Sequence, residues 1–398
     1  MRNITQVNTT KCTGCRACEQ ICPLGCITMA NNEEGFLIPK VDEHKCNGCG
    51  QCLKICNMDP WLTYDKEIMQ EVYAVKNNDK CILKSSSSGG VFYTLASYII
   101  KQGGVVYGCA FSCDLIAEHI EVNDMNDVFK LQGSKYVQSD TSNTFKLAKD
   151  KLNDGLRVLY VGTACQIKGL KSFLKKEYDN LITVDIICHG VPSPLLFHYY
   201  IQWLSKKYKG RVFNYNFRSK QRGWGLTCEF IVNDKKKFGD ALLDPYYKAF
   251  LDQKAYRECC YSCEYATNKR ISDITLGDYW GVDKEHPQFF SAEGVSAVLL
   301  NTKVSKEIFN QIKDKFEIVE SSFEKVANRN SNLLKPSDRP EVRTNIYKYL
   351  NSMSFDLFAK KYLVPELQIT RRVKLLVPSF IRRRVKQIKL RLKKTFVR

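Results

Sequence analysis

Residues 11–57 carry eight cysteines in two matching runs, Cys12, Cys15, Cys18, Cys22 and Cys46, Cys49, Cys52, Cys56. Each run reads C-x2-C-x2-C-x3-C, with Pro23 after the first and Asn57 after the second. Thiolates spaced this way hold iron–sulfur clusters: the short gaps let three sulfurs from one tight loop reach three corners of a single cube, and the fourth ligand comes from elsewhere. Gly14, Gly48 and Gly50 suit loops whose backbone must approach inorganic sulfide closely. Zinc would need four ligands per ion and gives no reason for the second x2 step. Disulfides would need an oxidising compartment, and no apolar signal segment precedes Cys12. Cys26 is a spare thiol that reads as a small buried hydrophobe.

A second thiol set lies far downstream. Cys260 and Cys263 form a C-x2-C pair that needs two more thiolates, and Cys165 and Cys188 fall at turns that follow strands. The quartet would hold a third cluster, unless Cys165 or Cys188 is an ordinary buried thiol or Cys259 takes the place of Cys260. Cys81, Cys109, Cys113 and Cys228 have no partner spacing and read as structural. Ser85 to Ser88 and Gly89-Gly90 precede a helical pattern over residues 91–101; a serine cap and free N–H groups there make an anion seat or plain capping. No G-x-G-x-x-G follows a strand, so a dinucleotide-binding turn of that type is not indicated.

Positioning these groups requires more than one core. A chain of 398 residues, 44% hydrophobic with 21 Phe and 21 Tyr, is folded and suggests two or three domains. Eighteen cysteines imply a reducing interior, the cytoplasm. The longest apolar run, 91–100, is broken by Thr94 and Ser97 and is too short to span a bilayer. Strands are expected over 71–76, 105–111, 116–122, 157–161, 181–188, 212–218, 226–232 and 295–301, and helices over 141–152, 166–175, 195–207, 305–313 and 343–353. The strand–helix alternation argues for an α/β core with Cys165 and Cys188 at the carboxyl ends of neighbouring strands, where open α/β sheets place their sites.

The net charge of +19 belongs mostly to the end of the chain: residues 371–398 hold twelve Lys or Arg and no acid. Over 379–398 the pattern puts Ile381, Val385, Ile388 and Leu392 on one face of a basic amphipathic helix. Such a helix suits an anionic membrane surface, an acidic partner protein or a solvated end. Nucleic acid is not indicated, because no base-reading motif or aromatic platform accompanies the charge.

The two cysteine runs resemble bacterial-type ferredoxins. That resemblance implies cross-ligation, with Cys12, Cys15, Cys18 and Cys56 on one 4Fe-4S cluster and Cys46, Cys49, Cys52 and Cys22 on the other. It also implies a pseudo-twofold fold of short strands and two short helices, matching the 34-residue repeat from Cys12 to Cys46. Asn57 departs from the usual Pro and leaves the ligand set intact.

Further along, the chain resembles the beta subunits of coenzyme F420 hydrogenases and dehydrogenases, including relatives fused to an N-terminal ferredoxin domain. The likeness rests on Ser88-Gly89-Gly90-Val91, Gly133-Ser134-Lys135-Tyr136-Val137, Gly162-Thr163-Ala164-Cys165-Gln166 and Cys188-His189-Gly190-Val191-Pro192-Ser193-Pro194. To these it adds Cys260-x2-Cys263 and then Asp273-Ile274-Thr275-Leu276-Gly277-Asp278-Tyr279-Trp280-Gly281. The order is the family's and spans about residues 1–300.

The resemblance implies an iron–sulfur flavoprotein, an oxidoreductase moving electrons between clusters, FAD and a deazaflavin, coenzyme F420, or another bound two-electron substrate. The alternative is a non-catalytic electron-transfer module serving a separate partner enzyme. It carries Cys165, Cys188, Cys260 and Cys263 over as ligands of the third cluster, and Ser88, Gly89, Gly90, Lys135, Tyr136 and Gln166 as flavin-site positions. Lys135 would offset charge on a reduced ring or grip a phosphate, if it is not a solvated surface lysine. His189 would deliver a proton during hydride chemistry, if it is not a hydrogen-bonded structural group. Asp278 is a turn former or a site carboxylate.

The composition, rich in Lys, Asn and Ile, suits an AT-rich bacterium, where members of this family accompany surface-polysaccharide genes. The expected plan is α+β: a 2x[4Fe-4S] ferredoxin domain at 1–60, a linker at 61–84, a beta-subunit-like α/β domain at 85–328, and a helical extension with the basic tail at 329–398. A redox partner protein is expected, with the chain cytoplasmic or peripheral at the inner face of the membrane.

Overall fold

One eight-stranded sheet organises the body. Its order across the sheet is Phe316–Ser321, Glu71–Asn77, Ser296–Leu300, Ile274–Asp278, Leu181–Ile186, Val158–Thr163, Val105–Phe111 and Ala117–Val122. The pairings from Ile274–Asp278 across to Val105–Phe111 are parallel, and those at both flanks are antiparallel. Strands buried on both faces read as continuous apolar runs, and Ser296–Leu300 is buried at every position. The chain is described here from a computed structural model over residues 2–56, 70–221 and 223–364. Asn57 and the basic stretch expected at 379–398 lie outside these residues. Among the described residues no helix is long and apolar enough to cross a membrane.

Helices Val91–Lys101 and Ala164–Leu174 cover the sheet through Val91, Leu95, Ile99, Ile167 and Leu170, all fully or nearly fully buried. The strand expected in the connecting stretch, Glu71–Asn77, is an interior strand of this sheet, paired on both edges. A second, three-stranded antiparallel sheet of Val212–Asn216, Thr227–Val232 and Lys235–Asp240 packs with helix Pro194–Tyr208 around an aromatic core that includes Tyr200, Tyr215, Phe217 and Phe230.

The amino-terminal unit has the expected short elements, helices Ala17–Ile21 and Gln51–Cys56 and an antiparallel pair, Ile27–Asn31 with Leu37–Val41. It is fixed to the body by polar contacts drawn from several segments. Arg16 pairs with Asp140, Thr141 Oγ1 donates to the Cys15 carbonyl at 3.0 Å, and Lys168 Nζ donates to the Cys56 carbonyl at 2.7 Å. Arg343 clasps Glu34 with two bonds of 2.6 and 2.7 Å. Contacts spread this widely fix the amino-terminal unit against the body.

Candidate redox site

The early cysteines sort into two sets. Cys12, Cys15, Cys18 and Cys56 lie within electrostatic reach of one another: burial, and then the Cys15, Cys12 and Cys56 charges, push the Cys18 thiol up. Burial raises Cys56 to about 11, with the Cys15, Cys12 and Cys52 charges adding to it and Lys168 opposing. Cys22, Cys46, Cys49 and Cys52 line a separate small cavity beside Gly50. Cys56 of the second run thus lies near the thiols of the first, and Cys22 of the first lines the cavity of the second. Cys26 lines the second cavity as well, with its sulfur 3.3 Å from that of Cys22. Among the described residues no three His, Cys, Asp or Glu converge as ligands of a single ion. A cube is held from its corners, so its thiolates stand apart around it.

The downstream cysteines also meet. Cys165, Cys188, Cys260 and Cys263 line one cavity of about 510 Å³ in the body, and Cys109, expected to be a structural thiol, lines it as well. Burial raises Cys165, Cys188 and Cys263, with Cys188 reaching about 12, and the Cys263 charge adds to the first two. Cys165 sits in the first turn of helix Ala164–Leu174 rather than in a turn before it, because Thr163 is the helix cap. Cys188 lies two residues beyond strand Leu181–Ile186. Cys259 is not part of the cavity wall. Its thiol is lowered by a hydrogen bond with Cys260, and it lies within charge reach of Cys12 and also of Cys165 and Cys263.

The cavity opens at the carboxyl ends of strands Val158–Thr163, Leu181–Ile186 and Ile274–Asp278, through Gly162, Thr163, Ile187, Gly277 and Asp278. That is the position general to open α/β sheets, and the volume falls within the range of small-molecule and cofactor pockets. Ser88, Gly90, Lys135, Tyr136, Gln166 and His189 all line it. Gly89 does not: its Cβ direction runs into the Val75 carbonyl at 2.1 Å, so it serves close packing against the sheet.

The serine cap expected before helix Val91–Lys101 is absent. Gly90, with φ +84, takes the cap position, and Ser88 Oγ donates to the Val295 carbonyl at 2.9 Å. Gln166 closes a capping box, its Oε1 accepting from Thr163 N at 2.9 Å and its Nε2 donating to Ser139 Oγ at 2.9 Å. Lys135 Nζ donates to the Gln132 and Lys130 carbonyls at 2.8 and 3.1 Å, and burial pulls its pKa down to about 8. Burial likewise lowers His189, whose carbonyl accepts from Ser337 Oγ at 2.6 Å.

Asp278 is a carboxylate at the cavity mouth, and it is paired rather than free. It ends strand Ile274–Asp278, pairs with Arg218 at 2.5 Å and accepts from Trp224 Nε1 at 2.9 Å. Trp224 stacks on Trp280 with centroids 5.1 Å apart, and Arg218 also donates to the Tyr136 hydroxyl at 3.1 Å. Beneath the downstream thiols, Arg270 pairs with the fully buried Asp185 at 2.5 Å. Sequence reasoning did not mark these arginines. The one available signal was position: Arg270 stands shortly before the Asp273–Gly281 motif.

Comparison with known proteins finds two matches along the chain. Residues 11–59 match the 4Fe-4S dicluster domain, and residues 155–326 match the C-terminal part of the coenzyme F420 hydrogenase/dehydrogenase beta subunit. No curated protein matched. Among solved structures, the chain is similar to one in the F420-reducing NiFe hydrogenase complex from Methanosarcina barkeri. The identity there is 17% and the TM-score 0.42, with 66% of this chain and 89% of that one covered.

Proposed function

We propose that this iron–sulfur oxidoreductase, a 4Fe-4S dicluster domain followed by a coenzyme F420 hydrogenase/dehydrogenase beta-subunit domain, moves electrons between clusters in its amino-terminal unit and a flavin in the body cavity. Clusters carry single electrons and a flavin accepts one or two, so the pair would join one-electron supply to two-electron chemistry on a bound substrate. The observation that carries this is the convergence of Cys165, Cys188, Cys260 and Cys263 on the cavity that Ser88, Lys135, Tyr136 and Gln166 also line.

Cys12, Cys15, Cys18 and Cys56 would hold the inner cluster and Cys22, Cys46, Cys49 and Cys52 the outer one. The exposed Cys49 sets the outer group near the surface, where a protein redox partner can reach it. The downstream quartet would hold a third cluster. In the cavity, Lys135 offers a cation to an anionic group, and the serines of residues 86–88 and Ser134 offer hydroxyls. Tyr136, stacked on Phe250 with centroids 4.1 Å apart, gives a rigid aromatic wall. His189 is placed to hold or pass a proton beside a two-electron acceptor, coenzyme F420 or another soluble compound, including a sugar-linked one.

Iron and acid-labile sulfide analysis of anaerobically prepared protein, with extraction of bound flavin, tests this directly. About twelve iron atoms and a flavin per chain are expected. A count near eight would remove the third cluster. Clusters without flavin would reduce the protein to an electron-transfer module serving a separate enzyme.

A further inference from the structure

Four arginines are buried among the described residues, Arg218, Arg257, Arg270 and Arg343. Three have a carboxylate: Arg218 has Asp278 at 2.5 Å, Arg270 has Asp185 at 2.5 Å, and Arg343 has Glu34 at 2.6 Å. Arg257, 4% exposed, has none within ion-pair distance among the described residues. Its Nε donates to the Cys12 carbonyl at 2.6 Å, its Nη1 to Gln138 Oε1 at 2.9 Å and its Nη2 to the Leu37 carbonyl at 2.8 Å. Every one of these acceptors is neutral. The Phe36 ring lies 5.3 Å from the guanidinium carbon, which excludes water on that side.

A buried cation answered only by neutral acceptors is strongly unfavourable unless an anion stands nearby. Two thiols are in charge reach of Arg257, those of Cys12 and Cys259, and its own carbonyl accepts from Cys260 N at 2.9 Å. Cys12 belongs to the inner amino-terminal set, and Cys259 adjoins Cys260 of the cavity set. The arginine is also held in place from the body side, where its N–H donates to the Val191 carbonyl at 2.9 Å, in the loop that follows Cys188.

We propose that Arg257 is the shared counter-charge of the inner and the cavity iron–sulfur centres, and that it sets their reduction potentials. This rests on the cluster assignments proposed above. One-electron reduction of a thiolate-bound centre adds one negative charge and no proton, the electron coming from the redox partner, so a fixed neighbouring cation favours the reduced form. Because the surroundings are dry, screening is weak and the effect is larger than a surface arginine would give. Arg257 is thus a positioning residue for charge, touching neither substrate nor the reacting atoms of a flavin.

The test is an EPR-monitored redox titration of the full chain, loaded anaerobically, with iron counted in each sample. For Arg257→Gln the midpoints of the inner and cavity centres should fall by about a tenfold change in the reduction equilibrium, roughly 59 mV for a one-electron couple. The outer centre should move less. Arg257→Lys keeps the charge and should stay near wild type. Full iron with unmoved midpoints in Arg257→Gln overturns the proposal, as does an equal shift in Arg257→Lys, which would mark a purely structural role. If Arg257→Gln does not retain iron, Gln138→Glu sets a carboxylate on the same guanidinium with almost no change of shape. It should lower the same two midpoints, and unmoved midpoints would overturn the claim. A wild-type count near eight iron atoms would instead remove the cavity centre, and the shared role with it.

Discussion

Gly169 and Cys15 touch across the boundary between the amino-terminal unit and the body: a β-carbon on Gly169 would stand 2.9 Å from both Cβ and Sγ of Cys15. Gly169 lies on helix Ala164–Leu174, whose first turn carries Cys165. One helix therefore spaces a thiol of the inner set from a thiol of the cavity set. Glycine inside a helix is normally a liability of about 0.5–1 kcal/mol relative to alanine, so its presence here answers to the close approach. Gly169→Ala should raise intrinsic helix stability yet displace Cys15, lowering iron by about one cluster, or four atoms. Unchanged far-ultraviolet circular dichroism with reduced iron is the expected pair of results; full iron would show that the loop yields without losing its ligand.

Cys259 and Cys260 are adjacent in sequence, and only Cys260 reaches the cavity wall. Cys260 lines the 510 Å³ cavity with Cys165, Cys188 and Cys263, and Cys259 stands behind it, within charge reach of Cys12 and Arg257 as well as of Cys165 and Cys263. Cys260→Ser should cost one cluster, and Cys259→Ser should leave the iron count unchanged. The reverse pattern in iron analysis would exchange their roles.

The thiol sets were legible because ligand spacing is local. Three corners of a cube come from one loop, and the residues of that loop are neighbours in sequence. Cys165 and Cys188 could be grouped because strand ends fall together in an alternating fold, and Cys260 with Cys263 by their C-x2-C spacing. The buried arginines were not legible. A charged side chain is exposed by default, and only tertiary structure brings Arg218 to Asp278 or Arg257 to Cys12. Strand Ile274–Asp278 showed as a motif without showing as a strand, since five residues in the middle of a sheet carry no period-two signal. At residues 85–90 serine preference suggested a side-chain cap, but the positive φ of Gly90 and the tight seat of Gly89 decided the local geometry. The amphipathic tail lies outside the described residues.

The pairing of Asp278 with Arg218 makes a stability prediction that separates a structural carboxylate from a catalytic one. Both side chains are at most 10% exposed, and Trp224 Nε1 occupies the second carboxylate oxygen. Removing one partner of such a pair leaves an uncompensated buried charge, at a cost of about 3–5 kcal/mol. Asp278→Ala should lower the denaturant midpoint clearly and should loosen the Trp224–Trp280 stack, visible as a change in tryptophan fluorescence. A variant as stable as wild type, but inactive, would return Asp278 to the chemistry.

Lys135 supplies a pH test. Burial brings its folded pKa down to about 8, the Cys109 charge opposing, against roughly 10.4 for an unfolded lysine. The unfolded chain therefore holds this proton more tightly. The penalty on folding is fully present below pH 8 and is relieved as the pH rises toward 10.4. Binding of an anionic group at Lys135 requires the opposite, the charged ammonium. FAD affinity, measured by equilibrium dialysis across pH 6.5–9.5, should hold steady below about pH 8 and weaken above it. Lys135→Met should bind FAD about tenfold or more weakly at pH 7 and show no break near 8, since the titrating charge is gone. Equal affinity in the variant, with the break retained, would assign the titration to another group and leave Lys135 as a capping donor for the Gln132 and Lys130 carbonyls.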